Sequence, residues 1–235
     1  MRLSLCLTFG FALLASSCAN YETCPPRAAA PRHLVALISD IDDTIKDTHV
    51  KIGETHIFNP GIVFDRFRRW HAVRGMARYY HMMKWDEAHG VSVIYVSAGP
   101  CSYQDRLECS IRSWGFAFEQ IVLRLHAPLP PPPSDYKTKA IYPIISDSRR
   151  KHFILVGDSG EHDPECYGDL ARKFPTQVDA IYIRKISGNE PCRYACVFRG
   201  IDRKKIHFIP PDLPDRPRAA PSPSPCDKTE TGRDR

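Results

Sequence analysis

An apolar run that ends in a burst of carboxylates constrains this chain more than any other stretch. Residues 34–38 (LVALI) are too few to span a membrane and have the aliphatic, β-branched character of a buried strand. Asp40, Asp42 and Asp43 follow at once, and Thr44 comes next. Carboxylates so close together repel one another unless protons or a cation intervene, and an all-oxygen ligand set suits a hard ion such as Mg2+. At the carboxyl end of a buried parallel strand they would stand where open α/β sheets bind ligands. Alone, the stretch reads equally as an acidic turn in which Asp and Thr cap a helix.

The rest of the chain favours the first reading. Apolar runs predict strands over 91–96, 118–125, 153–156 and 178–183. Helical spacing predicts helices over 75–89, 104–114, 137–145 and 164–174, and the Met and aromatic stripe of the first reads as core packing. Strands alternating with helices imply a parallel sheet with helices on both faces. Residues 45–59, with a turn at Gly53, predict a short hairpin or flap over the site. Ser97 falls where the second strand ends, and Gly157-Asp158 where the fourth ends. Asp163 either caps the helix that starts at Pro164 or supports the acidic site.

In order, Asp40-x-Asp42-x-Thr44, Ser97, Lys137, and Gly157-Asp158 with Asp163 resemble the motif set of the haloacid dehalogenase (HAD) superfamily of phosphatases. Within it, SDIDDTIKDTHV, YVSAGP, FILVGDSGEHDPE and AIYIRK closely resemble the catalytic domain of the fungal actin-patch phosphatidate phosphatases and their bacterial relatives. Val73-Arg74-Gly75-Met76 is similar to that family's Gly-Met element. The resemblance implies a HAD-like Rossmannoid three-layer α/β sandwich with a central parallel sheet and a small flap or cap insertion. It implies Mg2+-dependent hydrolysis of phosphatidic acid to diacylglycerol through an aspartyl-phosphate. Asp40 would be the nucleophile and Asp42 the general acid and base. Asp40, the main-chain carbonyl of Asp42, and Asp158 would hold the metal. Ser97 and Lys137 would bind the transferred phosphoryl group, with Thr44 and Asp163 in support. Lys139 competes with Lys137, but Ile141 lies four residues after Lys137, as in the family's Lys-x-x-x-Ile pattern. Asp43 stands where many superfamily members have Gly, as an extra charge or as a turn residue.

The ends of the chain add a location. Arg2, an apolar stretch over 3–15 and the small residues Ala15-Ser16-Ser17 predict a signal peptide over 1–17 and an exported protein, periplasmic or extracellular. Cys18 then resembles the lipid-bearing cysteine of a lipoprotein, which leaves secretion and membrane anchoring both open. A linker over 18–32, a phosphatase domain over 33–210 and a disordered Pro-rich tail over 211–235 complete the expected organisation. The nine cysteines have no zinc-site spacing, and Cys192 with Cys196 or Cys101 with Cys109 are local disulfide candidates.

A net charge of +6 favours an anionic partner: a phospholipid or other phosphomonoester substrate, and a membrane surface. FDRFRRW (64–70) suits an anionic interface or a half-buried helix surface. No nucleic-acid module is present, and oligomeric state is not encoded legibly. The histidines, His49, His56, His126 and His162 among them, form no H-E-x-x-H pattern, and GDSG follows a buried strand rather than the all-β context of a protease. Two other functions remain. One is a phosphatase of soluble phosphates or phosphoproteins on the same fold. The other is a non-catalytic membrane module, against which the full set of Asp40, Asp42, Lys137 and Asp158 argues.

Overall fold

β1 (Val35–Ser39) is the central strand, and its residues divide between two cores. Successive side chains point to opposite faces of a sheet. Ala36 and Ile38 therefore enter one core with Ile94, Val96, Phe153 and Leu155, while Leu37 enters the other with Val93, Tyr95 and Val156. A computed structural model describes residue 23 and residues 33–48, 70–125, 133–147, 150, 152–186 and 191–213. The expected signal peptide, Cys18, residues 64–69, His49, His56, His126 and the chain beyond 213 lie outside the described residues.

The remaining elements are β2 (Lys46–Asp47), β3 (His71–Ala72), α1 (Met76–Met82), β4 (Val91–Pro100), α2 (Gln104–Ser113), β5 (Gln120–Arg124), α3 (Tyr136–Ser146), β6 (His152–Asp158), α4 (Asp163–Lys173), β7 (Val178–Arg184), α5 (Pro191–Val197) and β8 (Ile206–Ile209). Six strands form one parallel sheet in the order β5-β4-β1-β6-β7-β8. α3, α4 and α5 cover one face through Tyr136, Ile141, Tyr167, Leu170 and Tyr194. α1 and α2 cover the other through Met76, Tyr80, Leu107 and Ile111. This is the three-layer α/β sandwich expected from the sequence. The chain runs outward from β1 through β4 to β5, then crosses to β6 and runs out the other way. β1 is thus the switch point, and the crevice at its carboxyl end is the place for a ligand site.

Of the expected hairpin or flap over 45–59, residues 49–59, with the turn at Gly53, lie outside the described residues. β2 pairs antiparallel with β3, far along the chain, with Lys46 opposite Ala72 and Asp47 opposite His71. The expected helix over 75–89 is shorter. Lys84 adopts a left-handed φ of 57°, Trp85 turns into the core, and Asp86 starts a separate 3-10 turn by accepting the His89 N–H at 3.1 Å. The stripe is core as far as Met76, Tyr80 and Trp85, whereas Met82 and Met83 are exposed. Gly75, before α1, has φ 79°, and a Cβ there would lie 2.6 Å from Leu213 Cβ, so no other residue fits without displacement.

Both local cysteine pairings fail. Cys101 is disulfide-bonded, but Cys109, Cys192 and Cys196 are free thiols, so the partner of Cys101 lies outside the described residues. Thr23 forms an antiparallel bridge with Arg124, which ties residue 23 to the carboxyl end of the edge strand β5. Among the described residues no helix is long and apolar enough to cross a membrane.

Candidate active site

Asp40 follows the last residue of β1, and its N–H donates to the carbonyl of Val156 on β6 at 2.8 Å. Asp158 is the last residue of β6 itself. The two strand tips named by the sequence are therefore neighbours. Asp40, Asp158 and Asp163 converge, with one carboxylate oxygen from each lying within 4.8 Å of the others. All three are buried. Lys137, in the first turn of α3, reaches in from the side. Its Nζ lies 2.7 Å from Asp40 Oδ1, 2.5 Å from Asp163 Oδ1 and 3.1 Å from Glu161 Oε2. Lys139 instead points outward to Asp135 at 3.0 Å and is half exposed, so the geometry separates the two competing lysines.

One ammonium stands against three buried carboxylates. Burial pushes the Asp40 carboxyl well above its usual range; Lys137 opposes this, and Asp163, Glu161 and Asp158 add to it. Burial raises Asp158 too, with Asp163 adding to the effect, and raises Asp163 against the pull of Lys137. Burial disfavours the charge on Lys137, yet Asp163, Asp40 and Glu161 outweigh it and hold its pKa well above the ordinary lysine value. Asp158 Oδ2 and both Asp40 oxygens lack an aligned hydrogen-bond donor among the described residues, the Lys137 contact to Asp40 being an off-axis ion pair. Orphaned buried carboxylate oxygens with excess negative charge fit a hard divalent cation.

Of the two expected places for Asp163, helix cap or support of the acidic group, it takes the second. His162 holds the cap position of α4, and Asp163 is the first helical residue. Its carboxylate turns inward, where Oδ2 accepts the Asp158 N–H at 3.1 Å and Oδ1 meets Lys137. Gly157 makes room for this, because a Cβ there would overlap the Asp163 carboxylate. Gly157→Ala is expected to lower the melting temperature, with a stability loss of about 1–3 kcal/mol, through that overlap. A thermal melt against wild type checks it.

Asp42 stands beside this group. Its Oδ1 accepts from Lys46 Nζ at 3.1 Å and its Oδ2 from Ser97 Oγ at 3.0 Å. Ser97 Oγ also accepts the Gly99 N–H at 3.0 Å. β4 continues past Ser97 to Pro100 through a shift of register, longer than the expected 91–96. Thr44 is fully buried, and its hydroxyl has no partner among the described residues. Asp43 is a turn residue. It has φ 52°, its carboxylate accepts the Thr48 N–H at 3.0 Å, and its carbonyl accepts from Arg184 at 2.7 Å. Ser39, whose hydroxyl bonds Tyr80 at 2.8 Å, donates to the Asp40 carbonyl at 2.6 Å.

Three site neighbours escape a reading of the sequence. Lys46 is buried on the flap, with Nζ 4.5 Å from the centre of the Trp70 ring. Arg106 covers Trp70 as well, at 3.8 Å, so the one described residue of FDRFRRW is buried rather than an exposed interface. Glu161 adds its carboxylate to Lys137, and Arg184 braces the turn after β1. A lysine four residues after Asp42, a glutamate inside GDSGEHDPE and an arginine at the end of the last apolar run are the signals the sequence carries for them.

Carboxylates on two adjacent strand tips, a lysine reaching in from the next helix and a flap after the first strand define a haloacid dehalogenase-type α/β fold. The comparisons narrow this. The model of the family described as phosphatidate phosphatase APP1, catalytic domain, matches residues 35–185, and the chain belongs to that family. Phosphatidate phosphatase APP1 of Saccharomyces cerevisiae is 34% identical over 172 residues, covering 72% of this chain and 28% of the yeast protein. An uncharacterized protein of Schizosaccharomyces pombe (C29B5.04c) is 24% identical over 205 residues, covering 82% of this chain and 31% of its own length. The chain thus spans less than a third of either relative. No solved structure matches it.

Proposed function

We propose that the chain is a Mg2+-dependent phosphatase that hydrolyses a phosphomonoester through an aspartyl-phosphate, with phosphatidic acid as substrate and diacylglycerol as product. The observation that carries this is the buried meeting of Asp40, Asp158 and Asp163 around Lys137 at the switch point of the sheet. The 34% identity to a phosphatidate phosphatase supports the substrate.

Asp40 attacks phosphorus, and the bond to the ester oxygen breaks. Asp42 protonates the departing alkoxide, then takes a proton from the water that attacks the aspartyl-phosphate, releasing phosphate and restoring Asp40. Ser97 and Lys137 hold the transferred phosphoryl oxygens, and Lys137 offsets their charge. Asp40, the Asp42 carbonyl and Asp158 would hold Mg2+, which when bound shields the dianionic ester from the incoming carboxylate. Asp163 keeps Lys137 and the Asp158 backbone in place. Lys46 holds the Asp42 carboxylate on one side, and Ser97 gives it the hydroxyl proton that an arriving phosphoryl oxygen takes over.

Export to the periplasm or the cell exterior belongs to the same proposal. The apolar leader over 1–17, with Cys18 as the anchor if it is lipidated, argues for it, and the disulfide at Cys101 suits an oxidising compartment. A second reading is activity on soluble phosphomonoesters or phosphoproteins, because the fold does not fix the substrate. Phosphate release is to be measured from phosphatidate, lysophosphatidate, p-nitrophenyl phosphate and a phosphopeptide. The expected result is release fastest from phosphatidate, abolished by EDTA and restored by excess Mg2+. Faster turnover of the soluble esters would move the assignment to the second reading, and release indifferent to EDTA would remove the metal.

A further inference from the structure

The turn between Asp158 and Asp163 carries two of the converging carboxylates, and it is held from both sides. On the inner side, Asp158 Oδ1 accepts the N–H groups of Gly160 at 2.6 Å and Glu161 at 3.2 Å. On the outer side stands Arg193 of α5. Its Nη1 donates to the carbonyl of Ser159 at 2.6 Å and its Nη2 to the carbonyl of Glu161 at 2.5 Å. Its Nε and Nη2 also grip the two oxygens of Glu165, at 2.7 and 2.8 Å. Glu165 lies in the first turn of α4, two residues after Asp163.

The guanidinium is therefore a rigid fork with one pair of bonds on the turn and another on the helix that follows it. α5 is tied to the core and to α4. Tyr194 is buried in the core, and the Val197 carbonyl accepts from Arg172 of α4 at 2.7 Å. Gly168 lets the two helices close up, since a Cβ there would lie 2.7 Å from that same carbonyl.

We propose that Arg193 is a positioning residue for the divalent cation: it fixes the 159–162 turn so that Asp158 stands at ligand spacing from Asp40 and Asp163 stays against Lys137. Its bonds to the turn go to the backbone carbonyls of Ser159 and Glu161, and through them it acts on the acidic group. This rests on the metal-dependent reading above. A planar fork bonded to two carbonyls and a carboxylate is not reproduced by a lysine, which supplies the charge but not the geometry.

Calorimetric titration of the full chain with Mg2+ alone tests it, alongside the Mg2+ dependence of p-nitrophenyl phosphate hydrolysis. Arg193→Ala is expected to weaken Mg2+ binding on the order of 10-fold or more, as loss of a residue that orients metal ligands does. Excess Mg2+ should recover most of the lost turnover. Arg193→Lys should behave like Arg193→Ala. Wild-type affinity in a folded Arg193→Ala would overturn the proposal, and wild-type affinity in Arg193→Lys would show that charge rather than geometry acts. Should Arg193→Ala not fold, Glu165→Gln decides: it keeps Arg193 but loosens its orientation, and unchanged Mg2+ affinity there also overturns the proposal. A wild type that binds no Mg2+ defeats the metal-dependent reading itself. A wild type that binds it as tightly as every variant defeats only the role of Arg193.

Discussion

Asp40→Asn is expected to stop phosphate release, by a factor on the order of 10^4 or more, as loss of a nucleophile does in other hydrolases with covalent intermediates. The amide is nearly isosteric with the carboxylate but does not attack phosphorus. The stability of the metal-free variant should not fall. Burial raises the Asp40 pKa in the folded state, so at neutral pH its ionised form is disfavoured by folding. Asn removes that penalty and removes one charge from a group already short of cations. The melting temperature of the metal-free variant should equal or exceed that of wild type, while its Mg2+-induced rise shrinks. A dead enzyme with an intact or higher melting temperature is the signature of a functional carboxylate. A variant that still releases phosphate would return the chain to the class of a site without Asp40 chemistry. A variant that unfolds would make Asp40 a structural residue.

The parts of the fold that a reader of the sequence recovers are those whose signal is local. The alternation of buried strands with helices is written in residues 34–38, 91–96, 153–156 and 178–183, and each run, Leu34 aside, lies in a strand, the second running four residues further to Pro100. The strand-tip carboxylates are legible because a buried run stops at them. What escapes is tertiary. β3 is two residues long and pairs with β2 across a long intervening stretch, so no local hairpin signal exists. α5 and β8 are short; α5 buries Tyr194 and β8 is an edge strand, so periodicity has little to work with. Asp163 and Pro164 together spell a helix start, and a cap is the reasonable local reading. The inward turn of Asp163 depends on Lys137, on another helix, and on the missing side chain at Gly157. The choice between Lys137 and Lys139 shows the same limit. The spacing to Ile141 favours the first, but only the fold distinguishes a buried ammonium among three acids from an exposed one beside Asp135.

That choice carries the second large effect. Lys137→Met should lower phosphate release on the order of 10^2–10^3-fold, the scale of losing one group that stabilises transition-state charge. It should also destabilise the metal-free protein by about 3–5 kcal/mol, because breaking a buried ion pair from one side leaves the other charges uncompensated. Asp40, Asp163 and Glu161 would all lose the same partner. Bound Mg2+ should return part of the lost stability by supplying positive charge to the same acids. Lys137→Arg should not rescue activity, since a guanidinium is bulkier and the space between Asp40 Oδ1 and Asp163 Oδ1 is set for a point charge at 2.7 and 2.5 Å. Lys139→Met is the control: it removes one end of an exposed pair, a contribution of about 0–1 kcal/mol, and should leave turnover near wild type. Denaturant melts with and without Mg2+, paired with phosphate release, read all three variants. Loss of activity in Lys139→Met with Lys137→Met still active would transfer the phosphoryl-binding role to the other lysine. It would also mean that the helix start at Tyr136 is turned relative to the geometry described.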